Sequence, residues 1–260
     1  MATAQTQGEL WSKAVQDWAE LQEQGHVPLL KAMLNATNVG QGTCLLDVGC
    51  GAGGASVLAA ELGAEVTGLD AAEGMIAYAQ KRLPDANFHV GDMANLPFSD
   101  DSFDVVFAAN SIQYAEDRVA ALQELARVCK SGGHVVAGLV GSPDKVAYRH
   151  IFQAVRSTLP EPPAGKGPFE LSAPGKLASL FEEAGLSITT QGDVTSSTSF
   201  PDLESYLRGV TSGGPVQAAL QVVDEEKLKA ALIETAKPFL TDNGQIVIEP
   251  NNYIYVVATL

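Results

Sequence analysis

A doubly wound α/β fold with a mostly parallel sheet is predicted by three observations. Short apolar runs alternate with longer amphipathic segments from Cys44 to Leu139. The runs are near-continuous in Val, Leu and Phe, the pattern of strands covered on both faces. Each amphipathic segment ends at a helix stop: Gly63, Pro84 or Ser131-Gly132-Gly133.

The first five strands are expected at Cys44–Val48, Glu65–Asp70, Asn87–Val90, Phe103–Ala109 and Gly133–Leu139, with helices over Gly54–Leu62, Ala72–Leu83 and Asp117–Cys129. The rhythm then changes. A helix over Lys145–Leu159 leads into a Pro/Gly-rich loop to Pro168, and a helix over Lys176–Ala184, stopped by Gly185, leads into a strand over Ser187–Val194. Helices follow at Pro201–Gly209, Val216–Val222 and Asp224–Phe239; their position between strands marks them as a cap over one edge of the sheet. An Asn243-Gly244 turn precedes two terminal strands, Gln245–Glu249 and Tyr253–Thr259, separated by Asn251-Asn252. At the other end, Trp11, Val15, Trp18 and Leu21 stand near helical spacing within an amphipathic helix over Glu9–Gln22. The resulting partition is residues 1–40 as leading helices, 41–140 as the core, 141–174 as a cap insertion, 175–194 as a core helix and strand, 195–250 as the helical cap and 251–260 as the last core strand.

Composition bounds the function. With 260 residues, 46% of them hydrophobic and 18% charged, the chain is sized for one globular domain with an inserted cap. Sixteen basic against 31 acidic residues leave a net charge of -15, which repels phosphate backbones and disfavours nucleic-acid partners. No uncharged apolar stretch approaches the roughly 18 residues that a membrane span needs, and Met1 to Leu10 has no basic residue ahead of an apolar run. A soluble, cytoplasmic protein is expected. Cys44, Cys50 and Cys129 are odd in number and lack ligand spacing, which argues against a disulfide framework or structural metal.

The sharpest motif is Leu45-Leu46-Asp47-Val48-Gly49-Cys50-Gly51-Ala52-Gly53-Gly54, a strand entering a glycine turn and then a helix. Glycines let the backbone turn tightly and approach a ligand more closely than any Cβ allows. Gly49, Gly51 and Gly54 satisfy GxGxxG, and Asp70 follows about 20 residues later at a strand end, where its carboxylate suits ribose hydroxyls. Read alone, this also fits a nicotinamide-dependent oxidoreductase.

Further motifs point elsewhere. The sequence resembles the class I S-adenosylmethionine-dependent methyltransferases, whose first motif, hydrophobic-D-x-G-x-G-x-G, is matched by Asp47, Gly49, Gly51 and Gly53. The resemblance continues through Asp70, through Gly91-Asp92-Met93-Ala94-Asn95-Leu96-Pro97-Phe98, through Phe103-Asp104-Val105-Val106 and through Leu125-Ala126-Arg127-Val128-Cys129-Lys130-Ser131-Gly132-Gly133, in family order. The ubiquinone-biosynthesis-like enzymes that act on small molecules are the nearest subgroup by these motifs. Ser131 stands where the family often has proline, a turn position without catalytic weight.

The resemblance implies a Rossmann-like sheet of seven strands whose last strand is antiparallel, and S-adenosylmethionine as cofactor. It places Gly49, Cys50 and Gly51 on the methionine portion; Asp47 of the same motif is counted with the cofactor residues, its other reading being to cap or orient the turn. Asp70 falls on the ribose, Ala71 and Met75 line the adenine pocket, and Asp92, with Met93 and Ala94, meets the adenine edge. Asn110 and Ser111 flank the methionyl end. A sulfonium is a fixed cation, suited to carbonyls and aromatic faces rather than to helix-terminus amides, so Trp11 and Trp18 are expected to close over it. Gln113, Tyr114 and Tyr206 are assigned to the acceptor. Of the four histidines, His89 and His134 read as strand residues, His26 and His150 as candidate bases, and His150 is chosen. The Asn110-Ser111-Ile112-Gln113 run lacks the Asn-Pro-Pro-aromatic signature of methylases acting on amide or adenine nitrogen. The expected activity is methyl transfer to an O, N or C nucleophile of a small acceptor, the alternatives being an NAD(P)-dependent oxidoreductase or a non-methylating protein that binds the same cofactor.

Overall fold

The apolar runs assemble into one sheet. In a computed structural model, which describes residues 2–161 and 167–260, the chain opens with α1 (Ala2–Trp11), α2 (Val15–Asp17), a π-helical turn Trp18–Gln22, a 3-10 turn Glu23–His26 and α3 (Val27–Ala36). There follow β1 (Cys44–Val48), α4 (Gly54–Glu61), β2 (Glu65–Asp70), α5 (Glu73–Arg82), β3 (Asn87–Val90), β4 (Phe103–Ala109), α6 (Arg118–Val128), β5 (Cys129–Val140), α7 (Arg149–Thr158), α8 (Lys176–Glu183), β6 (Ile188–Phe200), α9 (Leu203–Thr211), α10 (Gly214–Ala219), α11 (Glu225–Ala236) and β7 (Ile246–Thr259). Pro162 to Lys166 of the proline-rich loop lie outside the described residues.

The strand order is β3-β2-β1-β4-β5-β7-β6. The first five strands are parallel, while β7 runs antiparallel to both β5 and β6. Chain order reverses direction between β1 and β4, so a crevice opens at their carboxyl ends. Successive strand residues face opposite layers. Leu46, Val48, Val106 and Ala137 pack with Leu122 and Leu125 of α6 and Phe181 of α8. Leu45, Val105, Phe107 and Val136 pack with α3 and α4 on the other side. No local motif marks α3, which begins with Pro28 in its first turn and buries Leu29, Leu30, Met33 and Leu34. It sits so close to β5 that a Cβ at Gly138 would lie 2.6 Å from the Met33 sulfur.

The cap rests on a ribbon. β5 pairs with β7 only over Tyr253–Thr259, whereas β6 pairs with β7 as far as Phe200↔Ile246. The free length carries Phe200, Ile246 and Ile248, which share a separate apolar cluster with Ile151, Val155, Tyr206, Leu228 and Leu232. Asp202 and Asp224 cap α9 and α11 by accepting from the Ser205 and Lys227 amides at 2.7 and 3.0 Å.

Local pattern and structure part company in three places. The single helix expected over Glu9–Gln22 is broken after Trp11, where the Ser12 hydroxyl accepts from the Gly74 amide at 3.2 Å. Ser131-Gly132-Gly133 does not break the chain but lies within β5, with the Gly132 amide held by the Leu260 carbonyl at 2.7 Å. The two terminal strands are one. Asn251 and Asn252 continue the strand because Asn251 donates to the Ile248 carbonyl and accepts from the Tyr148 amide, while Asn252 donates to Asp193.

Tyr206, assigned from the sequence to the acceptor, belongs to the cap's interior. It is fully buried, and its hydroxyl bonds the Leu232 carbonyl at 3.2 Å and the Thr235 hydroxyl at 2.7 Å. Tyr206→Phe is therefore expected to lower stability by about 1 kcal/mol in a denaturant titration and to leave the acceptor KM unchanged. A raised KM at unchanged stability would return Tyr206 to the site.

Candidate active site

A cavity of about 480 Å³ opens where β1, β2, β3 and β4 end. Its floor is the glycine turn. Gly49 has φ +73 and Gly51 φ +54, values that disfavour side chains. A Cβ at Gly49 would also meet the Ser111 Cβ at 2.3 Å. The turn is tied to β2 by the Gly49 amide on the Leu69 carbonyl at 2.7 Å and by the Gly51 amide on Asp70 Oδ2 at 2.8 Å. Asp70 Oδ1 accepts from the Ala72 amide at 2.8 Å. A carboxylate has about four acceptor positions, so both oxygens retain capacity for a ligand's hydroxyls. Asp47 lies beneath the turn, 1% exposed, with Ser56 donating to it at 2.7 Å. Opposite, Ser111 donates to the Val48 carbonyl at 2.8 Å, and Asp92 Oδ1 accepts from the Ala94 amide at 3.0 Å.

Every residue that the sequence assigned to the cofactor lines this cavity: Trp11, Trp18, Asp47, Gly49, Cys50, Gly51, Asp70, Ala71, Met75, Asp92, Met93, Ala94, Asn110 and Ser111. Gln113 and Tyr114 line it as well, and Gln113 Oε1 is buried there without a hydrogen-bond partner. His150 does not. It is exposed on α7, its ring 6.5 Å from that of Phe239. The histidine at the cavity is His26, stacked on Trp18 at 5.4 Å and edge-on to Tyr253 at 5.5 Å.

The leading segment forms the outer wall. The break after Trp11 brings the two tryptophans edge to face at 4.7 Å, and Trp11 meets Tyr114 at 5.9 Å. Glu23 reaches over the start of α4, where a Cβ at Gly54 would lie 2.5 Å from its carboxyl carbon. Arg82 pairs with Glu23 at 2.5 Å and donates to the Ala52 carbonyl at 2.9 Å. Glu23, Tyr148, Phe152 and Tyr253 were not assigned to the site from sequence; they stand outside any motif, and only long-range folding brings them to the cavity.

The cavity is electrically one-sided. Glu23, Asp47, Asp70, Asp92, Glu116 and Asp117 line it, with no Lys or Arg among the described residues. Burial pushes the Asp47 carboxyl up to about 7, with Asp70 and Glu23 adding repulsion against the Ser56 hydrogen bond. Burial also raises Asp70, against the amides that bond it, and raises Glu23 despite Arg82. His26 is pushed down to about 4 by burial, so its imidazole is neutral at pH 7. The site thus offers clustered negative charge and aromatic faces, which suit a cationic ligand group. No set of three His, Cys, Asp or Glu residues among the described ones is arranged to hold a metal, and no described helix is long and apolar enough to cross a membrane.

Known proteins agree with this architecture. A methyltransferase-domain family profile matches residues 46–137. A demethylmenaquinone methyltransferase of Beutenbergia cavernae is 33% identical over 122 residues, 47% of this chain and 51% of that protein. The chain thus spans about half the length of this curated relative. Among solved structures, the YcgJ protein of Bacillus subtilis superposes with a TM-score of 0.61 at 19% identity, over 90% of this chain and 99% of that one. The [4+2]-cyclase SpnF superposes with a TM-score of 0.59 at 20% identity, over 89% and 80%. Residues 46–137 thus match a methyltransferase domain, and the chain shares its fold with these solved structures.

Between about pH 3.8 and 7 the folded chain holds a proton on Asp47 that the unfolded chain has released, so this group's contribution to stability falls as pH rises through that window. Asp47→Asn keeps an acceptor for Ser56 and removes the charge. Its melting temperature, relative to the unsubstituted protein without ligand, is expected to climb from pH 4 to pH 8. A pH-independent difference would show that Asp47 is not the buried charge described.

Proposed function

We propose that the chain binds S-adenosylmethionine in this cavity and methylates an O, N or C nucleophile of a small organic acceptor. The observation that carries the reading is the charge of the site. A dinucleotide of the nicotinamide class needs its pyrophosphate at the N-terminus of the helix that follows β1, here α4, and there the chain places its own Glu23 carboxylate. That position and the absence of Lys or Arg from the described lining oppose an anionic cofactor and favour one carrying cationic groups. The domain match and the methyltransferase relative support the same reading, including a loose affinity to the quinone-biosynthesis subgroup.

In this reading Gly49, Cys50 and Gly51 hold the methionine portion, Asp70 the ribose, and Asp92, Met93 and Ala94 the adenine, with Ala71 and Met75 beneath it. The cofactor supplies an electrophilic methyl group on a sulfonium. The chain's task is alignment in a closed, water-poor cleft: Trp11 and Trp18 shut out solvent, and Asn110 and Ser111 set the near end. Gln113 and Tyr114 face the acceptor. His26 replaces His150 as the imidazole at the reaction site. With a pKa near 4 it is a weak base at pH 7 and serves as a hydrogen-bond partner orienting the acceptor.

Calorimetry is expected to show binding of S-adenosylmethionine and its demethylated product, with none of NADH; binding of NADH alone would reverse the assignment. Incubation with methyl-labelled cofactor and a metabolite extract is expected to yield labelled product. Cofactor binding with no labelled product would favour a non-methylating reaction on this fold, which the [4+2]-cyclase SpnF also adopts. Once an acceptor is found, His26→Ala is expected to cut kcat/KM by more than tenfold and His150→Ala by less than twofold. The acid limb attributable to His26 is expected below pH 5.

A further inference from the structure

We propose that the acceptor carries no anionic group and is largely apolar: the site is built to admit neutral molecules and to refuse carboxylates and phosphates. The inference rests on the methyltransferase reading and adds to it the chemical class of the acceptor.

The cavity has two kinds of wall. At the strand ends, the turn residues and Asp47, Asp70 and Asp92 form the polar side. Toward the cap, the lining passes to Tyr148, Ile151, Phe152, Val210, Val216 and Tyr253. The first three come from α7 and the residue before it, the next two from α9 and α10, and Tyr253 from β7. These elements are the ones that share the ribbon-borne cap cluster or flank it, so the acceptor's wall is an extension of an apolar core.

The polar groups on this side are neutral. The Tyr148 hydroxyl is already engaged, donating to Gln22. His26 is uncharged at pH 7 because burial between Trp18 and Tyr253 opposes its protonation. The charged side chains bordering the cavity are acidic, without exception among the described residues. An anion entering here would lose its hydration, gain no cation of the chain, and meet the field of those carboxylates. A site made for carboxylates or phosphates would carry Arg or Lys in bidentate reach. A neutral acceptor pays none of these costs, and its apolar body replaces water against Phe152, Val210 and Val216. The buried, unpartnered Gln113 Oε1 offers an acceptor for one hydroxyl or amine hydrogen.

The test uses the full chain saturated with S-adenosylhomocysteine, whose own binding is measured first. Loss of that binding would strike the underlying reading; the charge rule is judged only on the loaded protein. Four probes share two carbon skeletons: 2-naphthol against 2-naphthoate, and 1-octanol against octanoate. Thermal shift and calorimetry at pH 7 are expected to show each neutral probe binding at least tenfold more tightly than its carboxylate. Phe152→Arg, at a half-buried wall position, is expected to narrow or invert that ratio while leaving the S-adenosylhomocysteine affinity within threefold. Carboxylates binding as well as or better than the neutral partners, or no binding by either skeleton, would overturn the proposal. The unsubstituted protein decides this even if the arginine variant fails to fold.

Discussion

The structure is organised around carboxylates that are buried before any ligand arrives. Asp47 and Asp70 sit at the ends of β1 and β2, and Glu23 is folded against the same turn. Desolvating a charge is costly unless it is paired or fully hydrogen-bonded. Glu23 has Arg82, whereas Asp47 and Asp70 rely on the Ser56 hydroxyl and on backbone amides. The tight conformation of the turn follows from this: Gly51 must present its amide to Asp70, and Gly49 must clear Ser111. What remains unbalanced is negative charge facing the cavity, and a cationic ligand group is the natural complement.

The same constraint gives the leading segment its role. Glu23 can sit over the start of α4 only if the chain before α3 folds back across the cavity, and that course carries Trp11, Trp18 and His26 to the rim. The segment is joined to the cap as well as to the core. Trp11 lies so close to α10 that a Cβ at Gly214 would meet its Nε1 at 2.5 Å, and Asp17 pairs with Arg208 of α9. The ion pair is partly exposed and contributes little by itself; the aromatic contact supplies the join. The outer wall of the cavity and its cap side are therefore mechanically linked.

Much of this was legible in the chain. The five parallel strands and the helices between them follow from continuous apolar runs and helix stops, and the cavity floor follows from the glycine turn with its downstream aspartates. The failures were of another kind. Asn251-Asn252 has the composition of a turn, yet inside a strand Asn251 accepts from the distant Tyr148 amide and Asn252 donates to the distant Asp193. Ser131-Gly132-Gly133 has the composition of a breaker, yet the carbonyl of Leu260 holds it in β5. His26 and His150 were equivalent by local pattern, and Tyr206 was placed at the acceptor when its hydroxyl belongs to α11.

The division has a physical basis. A sequence by itself determines what is enforced within a few residues: positive φ at a glycine turn, alternation on a strand, a cap at a helix start. It therefore determined the class of fold and the residues around the glycine turn, because motifs at successive strand ends must converge once the sheet is parallel. Tertiary structure decided which elements face that turn from the other side. Whether His26 or His150 reaches the cavity depends on how α3 docks on the sheet and how the cap seats on the β6–β7 ribbon. Contacts between residues more than a hundred positions apart leave no local periodicity to read.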